Sequence, residues 1–377
     1  MLVTEVLPRA ADTELIRSED ALVALAEPWA ALDGDIPFRA WQWCHAWWQH
    51  YRDPGDELFV VAVRDSSGNV VGIAPWYRSH SHKHGRVLRF LGCGEVCSDY
   101  LTILARSGSE REVSRQIARW LASAGRDEWD LLELSGVARD DVAVRSLVDE
   151  LAGHGHLTHE LAVQSCWCVP LPESWEAYLS QLSKGRRERI RMLERRQFAT
   201  GRARMYQVRS QDDLEQGFAI LCDLHQRRRQ SLNEQGAFAS ARFTKFHRDV
   251  AGRFLEMGRL RLQWVELEGR PAAAEYDLTG GPATYFYQSG IHPGFLRECP
   301  GWLSFMAAIQ RAIGEGCTQF DMLRGDERYK SHWRAVGREM CEIRVIGRSA
   351  AARMRHQIWM AYQKVKTWKR RPSGTSR

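Results

Sequence analysis

Side chains able to take part in proton transfer are concentrated in the second half of the chain. Asp321 closes the short apolar segment TQFDML and is either a general base or amine-orienting carboxylate, or a residue that caps a turn. Glu275 stands among small alanines in PAAAEYDL, where burial would raise its pKa towards that of a base unless an arginine pairs with it. Lys330 and Arg324 flank the turn after Asp321 and either hold a phosphate or an oxyanion, or are solvated at the surface. Together these residues suit activation of a nucleophile.

The segment ATYFYQSG supplies further polar side chains next to Glu275. Read as a strand, it alternates between two faces, so that Tyr285, Tyr287 and Ser289 share one face and Gln288 lies on the other. About half of these side chains therefore border a cleft. A tyrosine at this position is either a proton donor or a buried packing residue.

A helix start follows at Pro300 and Gly301. Such a start leaves backbone N–H groups free at the positive end of the helix dipole, which suits a diphosphate. Proline in the first turn is also a general feature of helices, so the motif by itself has two interpretations.

Length and composition exclude several classes of protein. The 377 residues are 44% hydrophobic and 27% charged, which indicates two ordinary globular domains rather than a disordered or fibrous chain. An apolar stretch long enough to span a membrane and a signal peptide are both absent from the sequence, so we expect a cytoplasmic protein. The nine cysteines contain no C-x-x-C pair, and the HSHKH segment has no carboxylate or cysteine partner nearby, so no metal site is predicted.

Hydrophobic periodicity predicts the elements that position these residues. In the first half, the tryptophan-rich run AWQWCHAWWQHYR predicts a helix that packs on a core. It is followed by a hairpin at 58–64 and 70–78, strands at 86–92 and 99–105, a helix at 110–124, a strand at 129–135, a helix at 140–151 and a strand at 163–169. The second half predicts helices at 174–198, 212–233 and 240–257, a meander at 259–267, 271–278 and 283–290, a helix from Trp302, the strand TQFDML and the last strand CEIRVIG.

Both halves share the order helix, hairpin, further strands, helix, strand, which indicates a duplicated α/β (α+β) fold. Each half is expected to form a mixed, largely antiparallel sheet flanked by helices. The predicted boundaries are 1–170 for the N-terminal domain, 171–347 for the C-terminal catalytic domain and 348–377 for a basic tail.

The net positive charge of the chain comes from its C-terminal segment. Ten Lys or Arg and no Asp or Glu follow Glu342, although the whole chain has a net charge of only +6. Met354, Ile358, Tyr362 and Val365 fall near one face of the predicted tail helix. Such a helix either lies on an anionic membrane or caps the second domain.

Three segments of the second half carry a family resemblance: YQSGIHPGF, CPGWLSF and above all FDMLRGDERYKSHW. They resemble the CelD/BcsL-like branch of the GNAT acyltransferases, which is associated with cellulose and exopolysaccharide biosynthesis and is related to the Fem-type aminoacyltransferases. FLGCGEVCSDYLTIL and SKGRRERIRMLERR also fit this branch, and the resemblance covers roughly 58–346. It implies two tandem GNAT-like domains.

The resemblance also implies roles for particular residues. Asp321, Lys330, Glu275 and Tyr287 would be catalytic, with a tyrosine protonating the leaving thiolate. An acyl-CoA would be bound by residues at the strand edge and the helix start, namely Gln288, Ser289, Ile291, Pro300, Gly301 and Trp302. The acceptor would contact Tyr285, Arg324 and Tyr329. Most GNAT enzymes have small residues where this chain has Pro300 and Trp302, which is a departure from their pyrophosphate loop.

The function implied is transfer of an acyl group from acetyl-CoA or another acyl-CoA, without a metal, to an amine or hydroxyl of a cell-envelope, polysaccharide or lipid-linked precursor. The acceptor would attack directly in a ternary complex. Two alternatives remain: a Fem-like transferase that uses aminoacyl-tRNA, and a noncatalytic binding module of a polysaccharide-synthesis complex. DNA is not expected as a partner, and tRNA is expected only in the first alternative. We expect a cytoplasmic protein that is able to contact the inner face of the membrane through its tail.

Overall fold

The computed structural model describes residues 12–369, which form two mixed sheets flanked by helices. This confirms the predicted fold class. Along the chain the strands are β1 Asp12–Ile16, β2 Glu57–Arg64, β3 Val70–Ser81, β4 Gly85–Phe90, β5 Leu104–Ala105, β6 Leu131–Ala138, β7 Leu157–Ala162, β8 Cys166–Pro170, β9 Ala203–Gln207, β10 Leu260–Leu267, β11 Arg270–Gly280, β12 Ala283–Ile291, β13 Gln319–Arg324, β14 Val336–Arg338 and β15 Met340–Ile346.

The helices pack on both faces of these sheets. They are α1 Glu19–Ala24, α2 Ala26–Ala30, α3 Trp41–Tyr51, α4 Glu110–Ala122, α5 Val142–Gly153, α6 Trp175–Gln181, α7 Lys184–Leu193, α8 Gln211–Gln230, α9 Ala241–Glu256, α10 Pro300–Gly314 and α11 Ala350–Lys369. Within the described range, none of them has the length and apolarity needed to cross a bilayer. Ser174 caps α6 as predicted, because its side chain accepts from the backbone N–H of Ala177.

The helix predicted over 174–198 is wrong as a single element. It divides into α6 and α7 because Leu182 adopts an extended backbone and is buried between them, and it ends in a π-helical turn at Glu194–Phe198. The strand predicted at 99–105 is also shorter than expected. Only β5 forms there, because the chain before it enters left-handed conformations at Cys97 and Tyr100 that are incompatible with a strand.

The two sheets exchange one strand each. The first sheet has the order β1-β2-β3-β4-β6-β15-β7, with β5 paired to β3, and the second has the order β14-β8-β13-β12-β11-β10-β9. Thus β15, from the end of the chain, pairs with β6 and β7 of the first sheet, and β8, from the first half, pairs with β13 and β14 of the second. The predicted domain boundary at residue 170 stays a prediction. However, β8 lies before this boundary and belongs to the second sheet, and β15 lies after it and belongs to the first sheet.

Aromatic packing joins the two halves. Trp43 of α3 contacts Phe246 of α9, with ring centroids 5.0 Å apart, and its indole N–H donates to the hydroxyl of Ser98 over 2.8 Å. Trp47 donates to the carbonyl of Cys93 over 2.9 Å. The tryptophan-rich helix is therefore part of the core, as predicted, and its core is shared with the second half.

An ion pair spans the same interface. Arg324, at the end of β13, donates to the fully buried carboxylate of Asp99 over 2.6 Å and to the carbonyl of Ser98 over 2.7 Å. Its backbone N–H also donates to Asp99. The carboxylate of Asp99 would be an uncompensated buried charge without this arginine.

We therefore expect Arg324→Ala to lower the free energy of unfolding by about 3 kcal/mol, measured by urea denaturation, because it leaves the Asp99 charge buried without a partner. The matched control is Arg202→Ala, which removes the exposed ion pair with Glu268 (2.8 Å) and should cost less than about 1 kcal/mol. Equal, small losses in the two variants would contradict the assignment of Arg324 to the interface.

Candidate active site

The candidate site begins where two parallel strands of the second sheet separate. β12 and β13 pair only from Ala283 to Tyr285 and from Gln319 to Asp321. β13 continues its pairing with β8 as far as Arg324, whereas β12 runs on to Ile291 along β11. The edge of β12 that faces β13 is therefore open beyond Tyr285, and strand edges of this kind offer unpaired N–H and C=O groups.

A cavity of about 440 Å³ opens beside this free edge, between β11, β12, α8, the start of α10 and the loop after β13. One wall is aromatic and consists of Phe286, Trp302, Phe305, Tyr329 and Trp333. Trp302 lies between the ring of Trp333, at 5.0 Å, and the guanidinium of Arg189, at 4.7 Å. A mainly apolar wall with few polar groups is typical of a small-molecule site.

Glu275 is the buried carboxylate of this cavity. It faces Ser289 across the β11–β12 pair and accepts a hydrogen bond from Gln263 over 3.3 Å. Burial, followed by the nearby charge of Asp277, raises the pKa of Glu275 well above its ordinary value, and Arg311 opposes this shift. The prediction that Glu275 is buried is confirmed.

Asp277 and Arg311 explain why Glu275 itself has no direct ion pair with an arginine. Arg311 of α10 donates to Asp277 over 2.8 Å and also contacts Gln263. Burial raises the pKa of Asp277 to about 6, although Arg311 lowers it in turn. The arginine thus neutralises the deeper carboxylate, and the carboxylate that lines the cavity keeps a high proton affinity.

The backbone of Ser289, on the open edge of β12, is bonded by side chains instead of a strand. The Nδ1 of His225 lies 2.9 Å from the carbonyl of Ser289, and the side-chain oxygen of Gln288 accepts from the N–H of Ser289. The Nε2 of His225 accepts from the N–H of Ala237, which assigns the proton to Nδ1. Burial lowers the pKa of His225, so the ring is neutral and serves to position β12.

α10 begins at Pro300, as predicted, with its first turn at the cavity. Its N-cap, Cys299, has no side-chain cap, and Trp302 and Leu303 both donate to the Cys299 carbonyl. Because proline has no N–H, Gly301 offers the free donor of this turn within the described chain. A Cβ added at Gly301 would lie 2.8 Å from Ile291, so the glycine keeps this corner of the cavity open.

Several cavity residues are not among the thirteen site residues predicted from the sequence, although a cationic rim that includes His225, Arg228 and Arg229 is one interpretation of the helix predicted at 212–233, the other being a solvated face. They are Ser304, Phe305, Phe286, Trp333, His225 and the rim residues Arg228, Arg229 and His332. A signal was available for two of them: Ser304 and Phe305 follow Gly301 by one helical turn, so they lie on the same face of α10. The others come from β12, α8 and the loop after β13, and their proximity is a matter of tertiary structure.

The structure separates the thirteen predicted site residues into two groups. Those that line the cavity are Glu275, Ser289, Ile291, Gly301, Trp302 and Tyr329. Gln288 supports the cavity through Ser289, and Pro300 is buried at the start of α10. The remaining five do not line the cavity: the polar groups of Asp321, Lys330, Tyr287 and Arg324 are bonded elsewhere, and the ring of Tyr285 packs against Phe38 and Tyr100.

Asp321 lies at the interface between the halves. Its carboxylate accepts from the hydroxyl of Tyr100 over 2.6 Å and from the backbone N–H of Leu323 over 2.7 Å. Burial raises the pKa of Asp321 to about 6. The turn-capping interpretation of Asp321 therefore has structural support, since Leu323 adopts a left-handed backbone that this carboxylate stabilises.

Lys330 is buried beneath the loop after β13. Its ammonium group donates to the carbonyls of Leu323 and Arg324 over 3.0 and 2.9 Å and pairs with Glu327 at 3.2 Å. These contacts use all three of its donors. Lys330 thus holds the loop that carries Tyr329 and Trp333 against the cavity.

A β-bulge changes the alternation predicted for β12. Phe286 pairs with Asp277 and Gln288 with Tyr276, which leaves Tyr287 unpaired between them. Tyr285 and Tyr287 both contact Phe38, whereas Ser289 lines the cavity, so the prediction that the three share a face is wrong for Ser289. The Tyr287 hydroxyl donates to the carbonyl of Val96 over 2.5 Å.

The described residues contain no group of side chains able to hold a metal ion. Residues 184–331, which span the cavity, match the family model of an acetyltransferase (GNAT) domain. No protein of curated function matches the sequence.

Solved structures show the same fold over nearly the whole chain. A crystal structure of FemX is 11% identical, with a TM-score of 0.63 over 89% of this chain and 97% of that one. The C-terminal domain of a candidate lysylphosphatidylglycerol synthetase from Agrobacterium fabrum is 11% identical, with a TM-score of 0.53 over 89% and 94%. Residues 184–331 thus match a GNAT domain, and the chain shares its overall fold with these two structures.

The position of Asp321 generates a prediction about stability. A buried carboxyl with a folded-state pKa of about 6 binds its proton more tightly than in the unfolded chain, so the free energy of unfolding should fall as pH rises from about 4 to 6. Asp321→Asn should remove up to about 3 kcal/mol of this decline, measured by urea denaturation across that pH range. The control, Asp127→Asn at an exposed carboxylate, should retain the wild-type slope. An unchanged slope in Asp321→Asn would contradict the assignment.

Proposed function

We propose that this protein is an acyltransferase that moves an acyl group from an acyl-CoA to an amine or hydroxyl, with Glu275 as the general base. The observation that carries the proposal is a buried carboxylate of raised pKa in the cavity beside the separated strands β12 and β13. A base of this kind accepts a proton from a nucleophile near neutral pH.

The residues of the cavity fit an acyl-CoA in part. The open edge of β12 and the aromatic wall suit an extended, largely apolar arm, and the Gly301 N–H at the start of α10 suits an anion. Most GNAT enzymes have a small residue at the position of Trp302, so this side chain narrows the site expected for the pyrophosphate. The guanidinium of Arg189 lies over the Trp302 ring and adds a positive charge there. The bound thioester would supply the activated carbonyl.

The reaction requires little of the protein besides positioning and proton removal. The acceptor nucleophile, held beside Glu275, loses its proton to that carboxylate as it attacks the thioester carbonyl directly. The carbon–sulfur bond then breaks, and CoA leaves as a thiolate that takes up the proton from the Glu275 carboxyl to give the free thiol. The hydroxyls of Ser289 and Ser304 line the same cavity and are positioned to orient the acceptor. Asp321, Lys330, Arg324, Tyr285 and Tyr287 act indirectly in this scheme, because they position the strands and the loop.

The acceptor is proposed to be an anionic precursor of the cell envelope, of a polysaccharide or of a lipid-linked intermediate, as in the CelD-like branch that the chain resembles. Arg228 and Arg229 lie at the rim of the cavity. Arg229 pairs with Glu234, whereas Arg228 forms no ion pair with any residue of the described chain. A free guanidinium at the mouth of a cavity suits a phosphate or carboxylate of the acceptor.

A second candidate is a transferase whose donor is aminoacyl-tRNA, as in Fem-type proteins. The observation that favours it is the density of basic residues on α7 near the start of α10, with Arg189 in contact with both Trp302 and Cys299. Within 12–369, α8 and α9 pack against the sheet and against each other and form no projecting arm, which was the feature expected for this alternative.

Glu275→Gln should lower turnover by about 100-fold or more, because an amide cannot accept the proton. The measurement is release of free CoA thiol from acetyl-CoA with a panel of amino sugars and lipid-linked amines. Wild-type turnover should rise with pH through the raised pKa of Glu275, because the ionised form is the base.

The control for this substitution is Glu268→Gln, at the exposed turn between β10 and β11, which should leave turnover unchanged. A folded Glu275→Gln variant with wild-type turnover would exclude Glu275 as the base.

Gly301→Ala should weaken binding of acetyl-CoA several-fold in calorimetric titration, because the added methyl group would meet Ile291 at the start of α10. Gly314→Ala, at the other end of the same helix, is the matched control, since a Cβ there meets nothing within 4 Å. Equal affinities would place the donor elsewhere, and no binding by the wild-type protein to acetyl-CoA or longer acyl-CoAs would favour the tRNA-linked donor.

A further inference from the structure

The C-terminal helix α11 lies against the first sheet through one of its faces. The ring of Trp359 lies 4.2 Å from the guanidinium of Arg344 on β15 and 5.6 Å from the ring of His159 on β7. Ala352, near its start, is buried in a small cluster with Ile346. These contacts fix the helix and determine which of its faces remains free.

The opposite face of α11 is apolar and exposed. Met354, Ile358 and Tyr362 are spaced four residues apart and are 61%, 64% and 64% exposed. Side chains at this spacing form one continuous stripe along a helix. Scattered apolar residues on a surface are ordinary, but a stripe of three large side chains on one docked helix indicates an interaction surface.

The charge of the same region is strongly positive. Ten Lys or Arg and no Asp or Glu follow Glu342, and α11 lies wholly within this segment. The residues of the exposed stripe are thus interspersed in the sequence with Lys and Arg, and no Asp or Glu of this segment neutralises them. Arg355 is paired only at long range, with Asp130 at 3.9 Å.

We propose that the Met354–Ile358–Tyr362 face of α11 binds the surface of an anionic lipid bilayer. Charge complementarity selects the anionic headgroups, and burial of the three apolar side chains at the headgroup boundary supplies the non-electrostatic part of the affinity. A second copy of the chain would bring two tails of the same sign together, which opposes association. A nucleic acid would satisfy the cations but would leave the apolar stripe in water.

Because α11 is docked on the first sheet, membrane binding would hold the whole protein at the bilayer surface. The partner is inferred from α11 alone and does not depend on the reaction proposed for the cavity. A membrane-bound orientation would bring the protein close to substrates that carry a lipid.

The test is co-sedimentation of the full-length protein with vesicles of phosphatidylcholine mixed with phosphatidylglycerol, and with vesicles of phosphatidylcholine alone. The wild-type protein should bind the anionic vesicles and lose affinity in high salt. Replacing the stripe by Met354→Gln, Ile358→Gln and Tyr362→Gln should lower the affinity by about tenfold or more without changing the tail charge. Glutamine preserves helix propensity, and circular dichroism verifies the fold.

The matched control also changes three exposed apolar residues to glutamine, namely Val23→Gln, Val142→Gln and Met192→Gln, all outside α11. It should bind as the wild-type protein does. Absence of wild-type binding to anionic vesicles, or equal losses in the two triple variants, would overturn the proposal. If sedimentation velocity shows that the wild-type protein is a dimer and the α11 variant is a monomer, the stripe is instead a self-association surface. Equal binding of a short RNA by both the wild-type protein and the α11 variant, without vesicle binding, would assign the tail to nucleic acid.

Discussion

The separation of β12 from β13 is the constraint on which the candidate site depends. β13 has two neighbours, and it follows β8 over its whole length while leaving β12 after Tyr285. Because β8 comes from the first half of the chain, that half determines how far the second sheet opens. The reciprocal strand, β15, pairs beside β6 in the first sheet, where β4 and β6 also pair in parallel over only two residues. In each sheet, the strand next to one edge thus comes from the other half of the chain.

The second sheet uses its two faces differently. One face carries Glu275 and Ser289 towards α10 and the cavity, whereas the other carries Asp321, Tyr285 and Tyr287 towards the first half. Both faces contain buried carboxyl groups of raised pKa, so a raised pKa alone does not distinguish a catalytic residue from an interface residue. Access decides between them: the oxygens of Asp321 are bonded to Tyr100 and Leu323, and Glu275 borders open space.

The buried polar groups near the cavity are also satisfied by neighbouring side chains. Arg311 neutralises Asp277 below the cavity, and His225 and Gln288 bond the C=O and N–H of Ser289. These contacts hold the open edge of β12 in place without filling it. The net positive charge of the chain comes from the segment after Glu342, which includes α11, so the candidate membrane surface and the candidate chemistry lie in separate parts of one molecule.

The sequence by itself located most of the elements around the cavity and indicated a buried carboxylate. Alternation and turn residues located the meander β10–β12, Pro300 located the start of α10, and the alanines around Glu275 indicated its burial. The tertiary structure alone decided which residues meet. Strand exchange and the interface around Asp321 depend on contacts between residues more than a hundred positions apart, and the bulge at Tyr287 shifts the register of β11 and β12; local periodicity encodes neither. For this reason Asp321 and Lys330 lie outside the cavity, although they belong to FDMLRGDERYKSHW, the segment with the strongest family resemblance. Glu275 lines the cavity.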